Sequence, residues 1–281
     1  MRECKRQGWR VVLVTKEKQQ HEDWPRESLD NLFTVPNDAD ADSFIRLVSE
    51  IARRVKVDRI VALEEYDVIT ASLVREHLCI DGMSSGTARR FRDKLAMRVA
   101  AQKAGINVPE FVHTLNYEDL HSYMGRVSPP WILKPRADVS AIGIEKLHDA
   151  EAFWRALERL DAREKHRERS THYLLERFVA GDVFHVDALL NNGRVIFAEA
   201  NCYGRPPMKV AHEGGVFRSF TLRRNSDERK ELLRLNRQLI PALGLRCGAT
   251  HAEFIKGSAD GRFYFLEVAA RVGGAYIAEV A

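Results

Sequence analysis

Four cysteines in 281 residues, at positions 4, 79, 202 and 247, are too few and too scattered for a disulfide framework or a zinc knuckle. They read as free thiols, and free thiols predict a reducing cytoplasm. Long apolar runs are lacking too. None approaches the roughly 18 residues that a membrane helix needs. Near the start, the apolar stretch Val11 to Val14 is short and no small-residue cleavage site follows it, so it reads as a buried strand rather than a secretory signal. Charge of one sign is not in excess: 44 Lys and Arg face 40 Asp and Glu, a net charge of +4. There is no basic stripe interleaved with aromatics, so nothing points to a nucleic-acid partner. The GxGxxG dinucleotide fingerprint is absent, which removes most support for an oxidoreductase, and so is the GxxxxGK[ST] phosphate loop. No internal repeat or low-complexity tract appears. What is present is ordinary for a globular protein, 45% hydrophobic and 30% charged residues, and long enough for two modest domains.

Along the chain, strands and helices alternate at first. Val11–Thr15 reads as a strand, Ser43–Val55 as a helix with Phe44, Leu47, Val48 and Ile51 on one face, Arg59–Leu63 as a second strand and Val68–Leu78 as a second helix. This alternation predicts a parallel sheet in an α/β unit over residues 1–83. Doubly wound units usually open on a strand and a glycine-bearing turn, and here a short helix comes first. From residue 84 onward the pattern is α+β. Thr87 caps a helix predicted to run to Lys103, and Trp131–Lys134 is a strand followed by the small-residue loop 137–143. A helix is expected from Asp149 to Leu160, then an exposed charge run at 163–170. Strands follow at Tyr173–Phe178, Asp182–Leu190 and Arg194–Ala200. A long helix at Asp227–Leu243 ends at Gly244, before a hairpin of His251–Ile255 and Arg262–Val268.

The hairpin carries the strongest chemical signal. Glu253 and Glu267 lie on its two strands, and Arg271 and a glycine pair follow in LEVAARVGGA. Carboxylates on adjacent strands suit Mg²⁺, which takes oxygen ligands, and an arginine beside them suits a phosphate. The two glutamates share a face only if opposed residue numbers sum to an even value. A five-residue loop, 257–261, predicts that register: Lys256 pairs with Arg262, Glu253 with Phe265, and the two glutamates are diagonal neighbours. A two-residue turn at Asp260-Gly261 would place them on opposite faces. Upstream, Lys134 ends a strand and precedes a loop whose backbone N–H groups can meet phosphate oxygens, with Ser140 in it and Gly143 allowing close approach. Glu176 and the backbone of the following segment can read a base edge by hydrogen bonds.

The stretches RDKLAMRVAAQKAGINVPEF, WILKPRADVSAIGI, YLLERFVAGDVFHVD and HAEFI…GRFYFLEVAARVGGA, in that order over residues 84–281, resemble the ATP-grasp superfamily. The resemblance implies an ATP-grasp fold preceded by a Rossmann-like domain (residues 1–83, first strand missing), with the chain stopping short of the usual C-terminal end. It implies an ATP- and Mg²⁺-dependent ligase. A small carboxylate such as an amino acid is phosphorylated to an acylphosphate, which an amine or thiol then attacks. Carried over, Lys94 and Lys134 contact the nucleotide phosphates and the 137–143 loop, with Ser140 and Gly143, covers them. Glu176, Phe178 and Val179 hold adenine, Glu253 and Glu267 ligate Mg²⁺, and Arg271 steadies the transferring phosphoryl group. Small-molecule substrates are the implied partners, without nucleic acid or membrane, and the resemblance leaves room for a homodimer.

Two positions depart from the pattern. Ala269 stands where many members carry a metal-binding asparagine. Val183 stands where a ribose-binding glutamate is common, and Asp182 beside it is the candidate substitute. These departures, with the clipped ends, keep a second expectation in play: a nucleotide-binding module without ligase activity, regulatory or decayed. For substrate contacts, the sequence offers Glu64 and Glu65 after the Arg59–Leu63 segment, Arg205 and Lys209 in a Gly/Pro loop, and His185.

Overall fold

The computed structural model describes residues 1–137, 143–164, 173–274 and 277. The chain divides into two compact units, residues 1–61 with 70–84, and residues 62–69 with 85–281. No described helix is long and apolar enough to cross a membrane.

In the first unit, α1 (Arg2–Arg6) leads into β1 (Val12–Lys16), which pairs in parallel with β2 (Asn31–Val35), Leu13 opposite Leu32 and Val14 opposite Phe33. Next comes α2 (Ala41–Ala52), whose first turn is capped by the Asp40 carboxylate accepting from the Ser43 N–H at 2.9 Å. Most of α3 (Val68–His77) also belongs here. The strand expected at Arg59–Leu63 does not form. Its alternating apolar residues imitate a strand, but a strand needs a ladder partner, and Val61 and Leu63 are exposed. The Ile60 carbonyl instead accepts a hydrogen bond from Arg75 Nη1 at 2.7 Å.

In the second unit, the expected helix from Thr87 to Lys103 is two: α4 (Ser85–Arg90) and α5 (Lys94–Lys103). Asp93 breaks them, its carboxylate accepting from the N–H groups of Leu95 and Ala96 to cap α5. The break makes Lys94 the first helical residue. Next come β3 (Phe111–His113), α6 (Tyr117–Arg126), β4 (Trp131–Pro135), β5 (Glu145–Leu147), α7 (Ala150–Glu164) and β6 (Tyr173–Arg177). The strands form an antiparallel sheet in the order β3-β6-β4-β5. Leu120, Tyr123, Trp131, Leu133, Phe153 and Leu175 join α6, α7 and this sheet in one core. The charge run of 163–170 lies for the most part outside the described residues.

A second antiparallel sheet holds β7 (Gly181–Asn191), β8 (Arg194–Tyr203), β9 (Ser219–Thr221), β10 (Gly248–Gly257) and β11 (Phe263–Ala269), in the order β11-β10-β7-β8-β9. Between β8 and β9 the chain forms α8 (Pro207–Glu213), and α9 (Asp227–Leu243) joins β9 to β10. Helix α9 begins under a Ser226 cap, ends at Gly244 with φ 87°, and buries Leu232, Leu235, Leu239, Ile240 and Leu243. Each such side chain contributes about 1.5–3 kcal/mol relative to exposure.

The β10–β11 register differs from the expected one. Lys256 pairs with Phe263, Ile255 with Tyr264 and Phe254 with Phe265, an odd register that would set the two glutamates on opposite faces if it continued. It does not continue. A β-bulge leaves Leu266 without a partner, and Glu253 then stands directly opposite Glu267. The backbone groups freed at the bulge are satisfied from outside the ladder: the Phe265 N–H donates to the Asn107 carbonyl at 2.8 Å and the Leu266 carbonyl accepts from Arg98 Nη1.

Candidate active site

A cavity of about 580 Å³ lies between the two sheets of the second unit. One end is lined by the segment Glu176–Gly181, which carries the chain from β6 to β7, and by Ile132, Ile255 and Leu266. The opposite end is lined by Glu65, Tyr203, His251, Glu253, Glu267 and Arg271. Of the residues singled out from sequence, Lys94, Lys134, Glu176, Phe178, Val179, Glu253, Glu267 and Arg271 all line it.

The connecting segment is locally constrained. A Cβ on Gly181 would stand 1.9 Å from the Lys256 carbonyl oxygen, so glycine alone lets β7 leave the segment this close to β10. Along it, the Arg177 and Phe178 N–H groups are bound to the Glu110 and Pro130 carbonyls, and the Ala180 carbonyl to the Ser258 N–H. Among the described residues, the Val179 N–H and C=O have no such partner, so both are available to a ligand in the cavity. Val183 lines the same end, whereas Asp182 is exposed and does not. Strand alternation sends Asp182 to the other face, so the substitution proposed for the ribose contact is corrected.

Glu176 is buried and its carboxylate is fully engaged. Oε1 meets Lys134 Nζ at 2.5 Å, and Oε2 accepts from Arg98 Nε at 3.1 Å and Nη2 at 2.9 Å. Burial pushes this carboxylate up, but the two cations outweigh it and hold it below the usual range. Burial pushes Lys134 down, to about 8, against the pull of Glu176. Sequence reasoning missed Arg98, which shares the Lys94 face of α5 one turn on; the four-residue spacing was its only signal. Gly143 has φ 72°, and a Cβ there would touch the Pro135 ring at 3.0 Å, so the loop end sits tight against β4. Ser140 lies outside the described residues.

At the other end, Glu253 and Glu267 project from paired positions to one face. Glu267 Oε2 is 3.2 Å from Lys94 Nζ. Burial raises its pKa, but Lys94 and Lys134 bring it down to about 2. Glu253 Oε1 accepts the Tyr203 hydroxyl at 2.9 Å. Two opposed carboxylates are the donor set a hard divalent cation takes, and Ala269, on the same face two residues further, adds no oxygen. These residues fit Mg²⁺ with two protein ligands.

Behind Glu253 lies a buried network that includes His185, which the sequence offered as a substrate contact. Asp187 accepts from His185 Nδ1 at 2.6 Å and from His251 Nδ1 at 2.8 Å. His251 Nε2 meets the Tyr203 hydroxyl at 3.2 Å. That hydroxyl's proton goes to Glu253, so Nε2 must donate, and the ring is an imidazolium. Burial alone would lower its pKa; Asp187 and Glu253 raise it to about 9. The three groups His185, Asp187 and His251 have the composition of a metal-ligand cluster, but every Nδ1 and both Asp187 oxygens are committed to one another.

Arg271 is held by Glu65, with Nε at 3.1 Å and Nη2 at 2.7 Å from Oε2. Arg92 Nη1 takes the other oxygen at 2.6 Å. Glu65 thus anchors an arginine pair rather than standing alone. Arg205 pairs with Glu213 at 2.6 Å, and Lys209 lines the cavity.

The ATP-grasp domain model matches residues 127–279, and this chain belongs to the ATP-grasp family. An L-arginine-specific L-amino acid ligase of Bacillus subtilis is 24% identical over 251 residues, 89% of this chain and 60% of its own length. The crystal structure of L-amino acid ligase from Bacillus licheniformis matches with a TM-score of 0.78 at 22% identity, over 99% of this chain and 65% of its own. A biotin carboxylase domain dimer of 2-oxoglutarate carboxylase from Hydrogenobacter thermophilus, in complex with MgADP, ADP and bicarbonate, matches at 0.74 and 17% identity, over 98% and 61%. The chain therefore spans somewhat under two thirds of these relatives.

Proposed function

We propose that this chain carries the nucleotide and metal site of an ATP- and Mg²⁺-dependent ligase that activates a small carboxylate as an acylphosphate for attack by an amine or thiol. The observation that carries the reading is the pairing of Glu253 with Glu267 on one face of a cavity whose far end is the Glu176–Gly181 segment. In this reading the Val179 backbone takes the adenine edge, with Glu176 and Phe178 shaping the pocket. Lys94 and Lys134 meet the phosphates beside Gly143, Glu253 and Glu267 hold Mg²⁺, and Arg271 neutralises the transferring phosphoryl group; the role expected of Ser140 falls outside the described residues. Catalysis is then positioning and charge neutralisation. The bound cation supplies Lewis-acid stabilisation of the phosphate oxygens. The names of the two Bacillus relatives favour an amino acid as the carboxylate and an amino-acid amine as the acceptor. Residues 84–281 are read as the ATP-grasp part and residues 1–83 as a Rossmann-like companion, in a cytoplasmic protein. The test is ADP release on incubation with ATP, Mg²⁺ and pairs of amino acids, lost in Lys134→Ala and Glu267→Ala. Absence of nucleotide binding by the unaltered chain rejects it.

A second reading, a nucleotide-binding module without ligase activity, is favoured by the apolar, buried Ala269 beside Glu267. Binding of ATP with no ADP release across the whole panel selects it.

A further inference from the structure

The fully buried guanidinium of Arg98 touches both the Glu176 carboxylate and the β11 backbone at Leu266, next to Glu267. Its Nε and Nη2 fix Glu176, the residue that opens the base-binding segment. Its Nη1 is bound to the carbonyl of Leu266, the bulged residue; were Leu266 to pair in the ladder instead, Glu267 would leave the face of Glu253. The same guanidinium lies 5.7 Å from the centroid of the Phe265 ring, just before the bulge. One turn earlier on α5, Lys94 reaches Glu267 itself.

Resting on the ATP-site reading above, we propose that Arg98 is a positioning residue that couples base recognition to metal binding, by holding Glu176 and the Leu266 bulge in one planar fork. The guanidinium directs three N–H donors at two acceptors, Glu176 Oε2 and the Leu266 carbonyl, from one rigid plane, and an ammonium has no such planar fork. A shift of the base-binding segment is therefore passed to the register of the metal strand, and the reverse holds by linkage.

The test measures that coupling directly. Calorimetry gives the affinities of the full chain for ATP and for inosine triphosphate, which differs at the base edge, with and without Mn²⁺ as the metal probe. Metal chelation by the phosphates is common to both nucleotides and cancels in their ratio. In the unaltered chain the preference for ATP should rise about fivefold or more when Mn²⁺ is added, the usual scale of coupling between sites. Arg98→Lys should abolish that rise. So should deletion of Leu266, which leaves every other β10–β11 pair in place, with Glu267 still opposite Glu253, but removes the bulged carbonyl. A merely structural role lowers thermal stability and leaves the Mn²⁺ effect on the ratio intact; that result, or a ratio insensitive to Mn²⁺ in the unaltered chain, overturns the proposal. If Arg98→Lys does not fold, the Leu266 deletion decides alone. An unaltered chain that binds neither nucleotide refutes the ATP-site reading instead, and the two failures are thus distinct.

Discussion

Replacing Glu176 by glutamine should destabilise the second unit more than any loss of a surface ion pair. The carboxylate is 4% exposed and serves two cations, Arg98 at 0% and Lys134 at 5%. Its three contacts of 2.5, 2.9 and 3.1 Å are all removed from solvent. Glutamine keeps the shape but strands both charges. Breaking a buried pair in this way costs about 3–5 kcal/mol. For a unit of this size each kcal/mol lowers the melting temperature by about 2–4 °C, so the expected drop is roughly 6–20 °C. The contrast is Arg2 with Glu27, whose side chains are 78% and 65% exposed and whose loss should leave the melting temperature essentially unchanged. Calorimetry at pH 7 measures both. Combining Glu176→Gln with Lys134→Met removes one stranded charge, and the double variant should regain more than about 1 kcal/mol over the single one, a coupling that a double-mutant cycle isolates. A Glu176→Gln protein within about 1 kcal/mol of the parent would refute the claim that this carboxylate is what keeps two cations buried.

Other outcomes follow from the same geometry. Lys134 has a folded-state pKa near 8 against 10.5 for a free lysine, so the folded state binds fewer protons between these values and stability should rise from about pH 8 to about 10.5, a rise that Lys134→Met abolishes in urea titrations. Above pH 8 the lost charge should also weaken ATP binding by up to about tenfold, one charge-assisted hydrogen bond, measured by calorimetry. His251 works in the opposite sense: raised from 6.5 to about 9, its contribution is complete below pH 6.5 and lost as pH rises through 9, and His251→Gln should flatten that part of the curve. Gly181→Ala forces a methyl against the Lys256 carbonyl and should cost about 1–3 kcal/mol or more, read by thermal melting.

Much of the second unit was legible because its signals are local. Helix α9 matches its expected bounds, Asp227–Leu243, since its apolar face and terminal Gly244 are both written in the chain. The lysines and glutamates that line the cavity were singled out by residue type and order. What escaped depends on pairing. Arg59–Leu63 has a strand's pattern without a strand's partner, whereas β2 was overlooked behind the turn residues that precede it. Asp93 looked like an interior helix residue until its carboxylate was seen capping α5. Arg98 reads as one more surface arginine on an amphipathic helix; only the fold shows its charge answered by Glu176 and by a backbone carbonyl.

The Leu266 bulge has a consequence for how such hairpins change over time. Fourteen positions separate Glu253 from Glu267, but counting positions does not decide whether two side chains meet, because one unpaired residue reverses the answer. A lineage that gains or loses a single residue in this strand can therefore keep its carboxylates face to face by gaining or losing a bulge with it. Spacing between the acidic residues is then free to drift by one while the metal-binding face they form is preserved.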